Sequence, residues 1–215
     1  MRLLRLLAPS LLLACNSDPA PRATVSADTT PVHADTLPMR RRPANGVLAL
    51  DAGKLRQLGV GAPFVYVGGT RFILGGSADA EQHLFVVADS ARVVERLYWI
   101  QLEEYLPSET GAYDYGADSV VTVDGFTLAA NFRTYTTPAD PGSDRARAFD
   151  YLKARGYTVP QGATRVRLVW LPESPARREV MIVYLEGARG ASAEPHGTFL
   201  SRAADALTLG TSGSR

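Results

Sequence analysis

The stretch SVVTVDGFTLAANFRTY, residues 119–135, carries the clearest indication of the fold. Two segments rich in β-branched and apolar residues, 119–123 and 126–135, flank the dipeptide Asp124-Gly125. Asp-Gly favours the positive φ angles that a two-residue β-hairpin turn requires. The sequence therefore predicts an antiparallel hairpin here, and the same kind of pattern recurs on both sides of it.

Further turn residues predict further hairpins along the chain. The predicted strand pairs are 64–67 with 71–74 across Gly68-Gly69, 82–88 with 92–102 across Asp89-Ser90, and 165–171 with 179–186 across residues 172–175. Helical spacing is confined to three places: residues 51–58, the segment after Ser143, and a last helix capped by Thr198. Because the helices do not alternate with the strands, the pattern is typical of an α+β fold. We expect a single domain with a curved antiparallel β-sheet of about seven or eight strands, built from hairpins and packed with two or three helices.

The N-terminal residues have the features of an export signal. Arg2 and Arg5 precede the apolar run 6–14, which ends at Cys15. This run is much shorter than the roughly 20 residues that a membrane-spanning helix needs. The tetrapeptide Leu12-Leu13-Ala14-Cys15 resembles the lipobox of bacterial lipoproteins, in which the cysteine is lipidated and becomes the first residue of the mature protein. An ordinary secretory signal with an incidental cysteine is the alternative.

The lipobox resemblance implies a lipid anchor on Cys15, with a diacylglyceryl thioether and an N-linked acyl chain such as palmitate. Two or three acyl chains together hold a protein lastingly on a bilayer. The resemblance also implies localisation in the bacterial cell envelope. Because Asn16 stands where an aspartate signals retention at the inner membrane in enteric bacteria, the outer membrane is favoured over the inner membrane. The membrane is then a partner through Cys15.

The composition divides the rest of the chain into a tether, a domain and a tail. We predict a signal peptide over residues 1–14, a lipidated cysteine with a disordered tether over 15–45, an α+β domain over 46–209 and a flexible tail over 210–215. The tether holds five prolines and few large apolar residues, so it buries too little surface to fold. It ends in Arg40-Arg41-Arg42, which either contacts anionic lipid or is a solvated linker end.

Charge and motif content exclude several function classes. The 215 residues include 23 Lys and Arg against 22 Asp and Glu, so no excess of positive charge favours nucleic acid. A single cysteine and three histidines are too few for a Cys/His zinc cluster. No G-x-S-x-G, Walker, dinucleotide-binding or H-E-x-x-H motif occurs. We therefore predict no metal, no cofactor and no catalytic residue, and we expect His83, which lies in a predicted strand, to be structural.

One strand changes from apolar to polar along one of its faces. Alternation places Leu97, Trp99, Gln101 and Glu103 on that face, as in a strand that runs from the core into the mouth of a pocket. A tyrosine-rich loop follows the strand. The predicted ligand-binding residues are Trp99, Gln101, Glu103, Tyr105, Tyr113, Asp114 and Tyr115. The alternative is that Trp99 belongs to the core and the glutamates lie on a solvated strand end.

Two arginines in a later strand are a separate candidate. Arg165 and Arg167 share one strand face, where they either bind an anion together or are solvated or paired with acidic residues.

Three functions agree with these observations. The leading hypothesis is an envelope lipoprotein with a lipid-anchored, non-enzymatic domain. This domain is either a binding domain for an unknown ligand or an accessory domain. The second is an envelope hydrolase with a site around Glu103 and Asp114. The third is a structural or assembly lipoprotein that binds a protein partner.

Overall fold

The computed structural model describes residues 35–187 and 195–211. The predicted signal peptide, Cys15 and the first part of the predicted tether lie outside the described residues, as does most of the predicted tail. In chain order the elements are β1 (Val47–Ala52), β2 (Leu55–Val60), β3 (Val65–Leu74), β4 (Ala78–Ala88), β5 (Val94–Tyr105), β6 (Ser119–Val123), β7 (Phe126–Thr134), α1 (Asp144–Lys153), β8 (Thr164–Trp170), β9 (Arg178–Glu186), α2 (His196–Asp205) and β10 (Leu207–Gly210).

Antiparallel sheets dominate the structure, and the α+β prediction is confirmed at that level. Seven strands form one sheet in the order β3-β4-β5-β9-β8-β7-β6, and three form a second sheet in the order β1-β2-β10. The prediction of a single sheet of seven or eight strands therefore fits the large sheet and misses the small one. Within the described residues there are two helices.

The turn chemistry explains the hairpins that were predicted correctly. Asp124 and Gly125 both have positive φ, at 48° and 82°, and they close the β6–β7 hairpin. β4 pairs with β5 as predicted, and β8 pairs with β9. Helix α1 begins after Ser143, whose side chain accepts a hydrogen bond from the Ala146 N–H at 3.2 Å.

The helix predicted over residues 51–58 is a β-hairpin instead. β1 and β2 meet at Gly53, which has a φ of 60° and turns the chain. The spacing of Leu55 and Leu58 suggested a helix, but Leu48 and Leu50 alternate with exposed residues as in a half-buried strand. Both leucine pairs are buried against the large sheet.

The glycines at 68 and 69 do not form a turn. β3 continues through them, with a register shift between Tyr66 and Gly68. The hydroxyl of Tyr151 lies where a Cβ at Gly68 would be, and the Gln82 carbonyl lies where one at Gly69 would be. These glycines allow the Tyr151 hydroxyl and the Gln82 carbonyl to approach the backbone of β3 closely. The turn that ends β3 is made by the next glycine pair, Gly75-Gly76.

The C-terminal end also differs from the prediction. Helix α2 begins at His196, so Thr198 lies inside it and does not cap it. β10 follows directly and pairs with β2 as far as Gly210, the first residue of the predicted tail. Leu207 and Leu209 are buried, which explains why this segment is ordered.

Two cores lie on opposite faces of the large sheet. Tyr98, Ile100 and Leu102 of β5 face the small sheet and α2. Leu97 and Trp99 face the other way, toward α1. The alternation predicted for β5 is therefore confirmed.

Residues 35–44 belong to the predicted tether, but in the structure they pack against the domain. The Leu37 N–H donates a hydrogen bond of 2.6 Å to the carbonyl of Arg71, which belongs to the edge strand β3. Arg40 pairs with Asp79 at 2.6 Å, and Arg41 pairs with Glu81 at 2.7 Å. Glu81 is almost fully buried and accepts hydrogen bonds from the Arg40 and Arg41 backbone N–H groups and from the Arg41 guanidinium. Sequence alone did not reveal these donors, which a buried carboxylate needs. The segment covers part of an otherwise open sheet edge.

Candidate ligand-binding site

A layer of polar side chains lies on the face of the large sheet that α1 covers. Its members come from five neighbouring strands, and we call them the polar layer. They are Gln82 of β4, Gln101 and Glu103 of β5, Glu179 of β9, Arg165 and Arg167 of β8, and Asn131 of β7. Trp99 lies beside them in the core.

Two carboxyl groups are the least expected feature of the polar layer. Glu103 and Glu179 are direct partners in the β5–β9 ladder, so both point to the same face. Glu103 accepts hydrogen bonds from the Gln101 amide at 2.6 Å and the Tyr113 hydroxyl at 3.0 Å. Glu179 is 3% exposed, and its Oε2 atom has no hydrogen-bond partner among the described residues.

Burial explains how these two groups titrate. Burial and the negative charge of Glu103 raise the pKa of Glu179 to about 8. Burial also raises the pKa of Glu103, although its hydrogen bonds from Gln101 and Tyr113 oppose this. Two buried carboxyls in contact cannot both ionise cheaply, so the pair keeps a proton at neutral pH.

A row of aromatic rings covers the two carboxyls. Tyr105 stacks on Tyr113 at 4.4 Å between ring centroids, and Tyr113 on Tyr115 at 6.2 Å. An arginine lies over each end of the row, with Arg177 5.9 Å from the Tyr105 ring and Arg167 4.5 Å from the Tyr115 ring. Guanidinium groups stack favourably on such rings.

The loop that carries these tyrosines, residues 106–118, is held by main-chain contacts. The Tyr113 N–H donates to the Ala176 carbonyl at 2.8 Å. Arg177 donates to the carbonyls of Leu106 at 2.9 Å and Glu109 at 2.6 Å. The loop is thereby fixed over the end of β5.

Helix α1 closes the other side of the polar layer. The amide of Gln82 donates both to Gln101 at 2.8 Å and to the Asp144 carbonyl at 2.9 Å. Burial raises the pKa of the Asp144 carboxyl. The first turn of α1 is therefore joined directly to the polar layer.

Several buried polar atoms in this region have no hydrogen-bond partner among the described residues. They include both acceptors and donors: Gln82 Oε1, Glu179 Oε2, Trp99 Nε1, Arg165 Nε and Arg167 Nε. Buried polar groups in native proteins nearly always find a partner, and one left unsatisfied costs about 1–3 kcal/mol. These atoms are therefore suited to contact a bound molecule.

The structure brings together five of the seven predicted ligand-binding residues: Gln101, Glu103, Tyr105, Tyr113 and Tyr115. Trp99 is 2% exposed and forms the floor of the region rather than its surface. Asp114 is exposed and makes no hydrogen bond or ion pair with the other described residues. Sequence reasoning missed Glu179, because its position beside Glu103 depends on the pairing of two strands far apart in the chain.

A cavity of about 150 Å³ borders this region at the ends of β4, β5 and β9. Glu103 and Glu179 contribute to its lining, together with the ion pairs Arg40–Asp79 and Arg41–Glu81. The volume suits a few water molecules or one small polar group. Most of the charges that line the cavity are already paired. Because Glu103 and Glu179 also line it, the cavity is an extension of the site.

His83 lies outside this region and is fully buried, as expected of a structural histidine. Its Nδ1 is 3.2 Å from the Tyr66 hydroxyl, and its Nε2 is 3.5 Å from a Glu81 oxygen. Burial raises the pKa of Tyr66 to about 12, so the hydroxyl is protonated at neutral pH.

Residues 35–187 and 195–211 contain neither a metal-ligand cluster nor a membrane-spanning helix. There, no group of three or more His, Cys, Asp or Glu residues is arranged to hold a metal ion. Neither α1 nor α2, the helices that the structure describes, has the length and apolar character to cross a bilayer.

No family model, curated protein or solved structure matches the chain.

Proposed function

We propose that the protein is an envelope lipoprotein, lipid-anchored through Cys15, whose domain binds a small polar ligand in the polar layer without catalysing a reaction. The observation that carries the binding function is the set of buried donor and acceptor atoms without partners, on Gln82, Trp99, Glu179 and the two arginines of β8. A mixed set of this kind suits a molecule with several polar groups. The lipobox resemblance at Leu12-Leu13-Ala14-Cys15 supports the anchor.

The geometry favours binding over hydrolysis. In glycosidases the two carboxyls stand about 5 Å or more apart, on either side of the scissile bond. Glu103 and Glu179 instead interact directly with each other. Asp114, the partner that the hydrolase hypothesis requires, is exposed and has no contact with Glu103 through a hydrogen bond.

Native mass spectrometry of the full chain, purified from membranes in a mild detergent, tests the binding function. We expect a discrete extra mass beyond the acylated chain that is lost on denaturation. The Glu103→Ala variant should lose this mass. Asp140→Ala should keep it, because Asp140 is an exposed acidic residue outside the polar layer and the cavity lining. A bare wild-type chain would count against a tightly held ligand.

The anchor is tested separately with a Cys15→Ser variant. Wild-type protein should incorporate labelled palmitate and fractionate with the outer membrane. The variant should incorporate no label and leave the membrane fraction. Equal labelling of both forms would contradict lipidation at Cys15.

A structural or assembly role is the second candidate, because one edge of the large sheet is open to a partner. β6 is the last strand of that sheet, and its Val120 side chain is 61% exposed. Edge strands can pair with a strand of another protein. A photo-crosslinker at position 120 should then capture a discrete envelope protein, whereas one at exposed Arg56 should not.

We propose that the large sheet is curved around its cores. The register shifts at Tyr66/Gly68 and at Val87/Ala88 support curvature, because such irregularities bend and twist a strand.

A further inference from the structure

We infer that Arg165 and Arg167 bind the anionic group, a carboxylate or a phosphate, of the ligand held in the polar layer. This inference rests on the proposed binding function and adds the chemical class of the ligand. It assigns a binding role to two residues of β8, the strand that pairs with β9.

Neither arginine donates a hydrogen bond to an acidic side chain within residues 35–187 and 195–211. Neither forms an ion pair among the described residues, and both are largely withdrawn from solvent, with an unpartnered Nε atom each. A partly buried cation without a counter-charge is unfavourable, so such groups are normally paired. Burial, together with the positive charges of Arg167 and Arg133, lowers the pKa of Arg165.

Neighbouring side chains fix both guanidinium groups in place. Arg165 lies 5.0 Å from the centre of the Tyr135 ring, and Arg145 of α1 lies 4.4 Å from the same ring. Arg167 lies over Tyr115 and donates to the Asn131 amide oxygen at 3.2 Å. Groups held in this way lose little freedom when they bind a ligand.

The acidic groups nearby do not neutralise these arginines. Burial and Glu103 raise the pKa of Glu179 to about 8, although Arg167 acts on Glu179 and lowers it, so Glu179 keeps its proton at neutral pH. Asp118 pairs with Arg133 at 3.3 Å. Asp144 accepts a hydrogen bond from the Arg145 N–H at 2.6 Å, and its burial disfavours the ionised form. The surroundings of Arg165 and Arg167 therefore stay positive.

The chemistry of the guanidinium group identifies the class of ligand. Its planar array of donors matches a carboxylate or a phosphate. Two arginines on alternate residues of one strand lie about 7 Å apart, close enough for both to reach one anionic group. Glu179 Oε2 and Gln82 Oε1 lie elsewhere in the polar layer as acceptors. The ligand that fits is a small organic anion with hydroxyl or amino groups away from its charged end.

The test follows the Nε–Hε signals of arginine by NMR in the full acylated chain in detergent. Inorganic phosphate and sodium acetate are titrated separately, with sodium chloride at matched ionic strength as the salt control. We expect saturable shifts of the Arg165 and Arg167 signals, with a dissociation constant of about 1 mM or tighter for one of the two anions. The preferred anion distinguishes a phosphate from a carboxylate ligand.

Variants assign the response to these residues. Arg165→Gln and Arg167→Gln should each weaken binding at least about tenfold. Arg56→Gln, which removes an exposed charge elsewhere, should leave binding unchanged. If either β8 variant fails to fold, the wild-type titration still decides, because the signals belong to the two residues themselves.

Two results would overturn the inference: no saturable shift with either anion, or equal shifts with chloride. A retained neutral ligand in the native mass spectrum, together with no anion response, would overturn the inference and keep the proposed binding function. A bare chain with no anion response would overturn both.

Discussion

Glu103 and Glu179 lie opposite each other on β5 and β9, and one oxygen of Glu179 has no hydrogen-bond partner among the described residues. Like charges placed directly opposite in a sheet destabilise it, so this pair is tolerated only while it keeps a proton. The tyrosine row lies beside the pair, and the Tyr113 hydroxyl donates a hydrogen bond to Glu103. The protonation of the pair therefore affects both the stability of the sheet and the polarity of the site.

Stability should fall as the pH rises through the range in which Glu179 retains its proton. Its pKa is raised from an ordinary value of 4.5 to about 8 in the folded protein. Above the ordinary value the unfolded chain loses this proton while the folded chain keeps it, so the free energy of unfolding decreases until about pH 8. Glu179→Gln should remove most of this decrease, on the order of a few kcal/mol. Urea unfolding at several pH values measures it, and an unchanged pH dependence would contradict the assignment.

Gly68→Ala should destabilise the protein by about 1–3 kcal/mol. Gly68 has a φ of 119°, and the Tyr151 hydroxyl lies where a Cβ would be. Gly116→Ala is the matched control, because nothing lies within 4 Å of a Cβ there. Adding Tyr151→Phe to Gly68→Ala should recover part of the loss, since the phenol oxygen is removed. Thermal unfolding compares the four proteins, and equal stability of both alanine variants would refute the close contact.

Arg41→Ala should cost about 1–3 kcal/mol, because it removes the side-chain partner of buried Glu81. Although burial opposes it, hydrogen bonds from His83 and the Arg41 N–H lower the pKa of Glu81. The stabilisation is therefore present above the ordinary pKa of a glutamate and is lost as the pH falls through the lowered value. Arg56→Ala breaks an exposed pair and should cost less than about 1 kcal/mol. Denaturant unfolding measures both, and equal losses would mean that Arg41 is only a surface residue.

Arg177→Ala should loosen the loop over residues 106–118. The variant loses donors to the Leu106 and Glu109 carbonyls and a guanidinium over Tyr105. Hydrogen exchange should accelerate at Tyr113 and in the loop, while amides of β8 keep their protection. Arg133→Ala, at an exposed pair with Asp118, serves as the comparison. Unchanged exchange in the loop would show that other contacts hold it.

Local signals predicted the elements that local chemistry determines. Asp124-Gly125 fixes the β6–β7 turn by its backbone preference, and Ser143 fixes the start of α1 by its cap. The helix prediction for residues 51–58 was wrong because the spacing of Leu55 and Leu58 fits either a helix or a strand. Only their burial against the large sheet decides between the two. β10 was missed because its pairing with β2 joins segments at opposite ends of the domain.

The candidate site divides in the same way. The alternation along β5 predicts that Gln101 and Glu103 lie on one face of the strand. The tyrosine-rich sequence that follows the strand predicts an aromatic loop. Glu179 required the β5–β9 register, which no local pattern encodes. Likewise, the contacts of Arg40 and Arg41 required knowing that Asp79 and Glu81 lie beside the N-terminal segment.

The packing of residues 35–44 along β3 determines where a pulling force on the N-terminus would act. Tension would first load the Asp35–Arg147 pair at 2.6 Å, then the Leu37–Arg71 backbone hydrogen bond, then Arg40 and Arg41. These contacts lie in series, so they would yield one after another before the force reached β1. Residues 35–44 are therefore the part of the described domain that such a force would detach first.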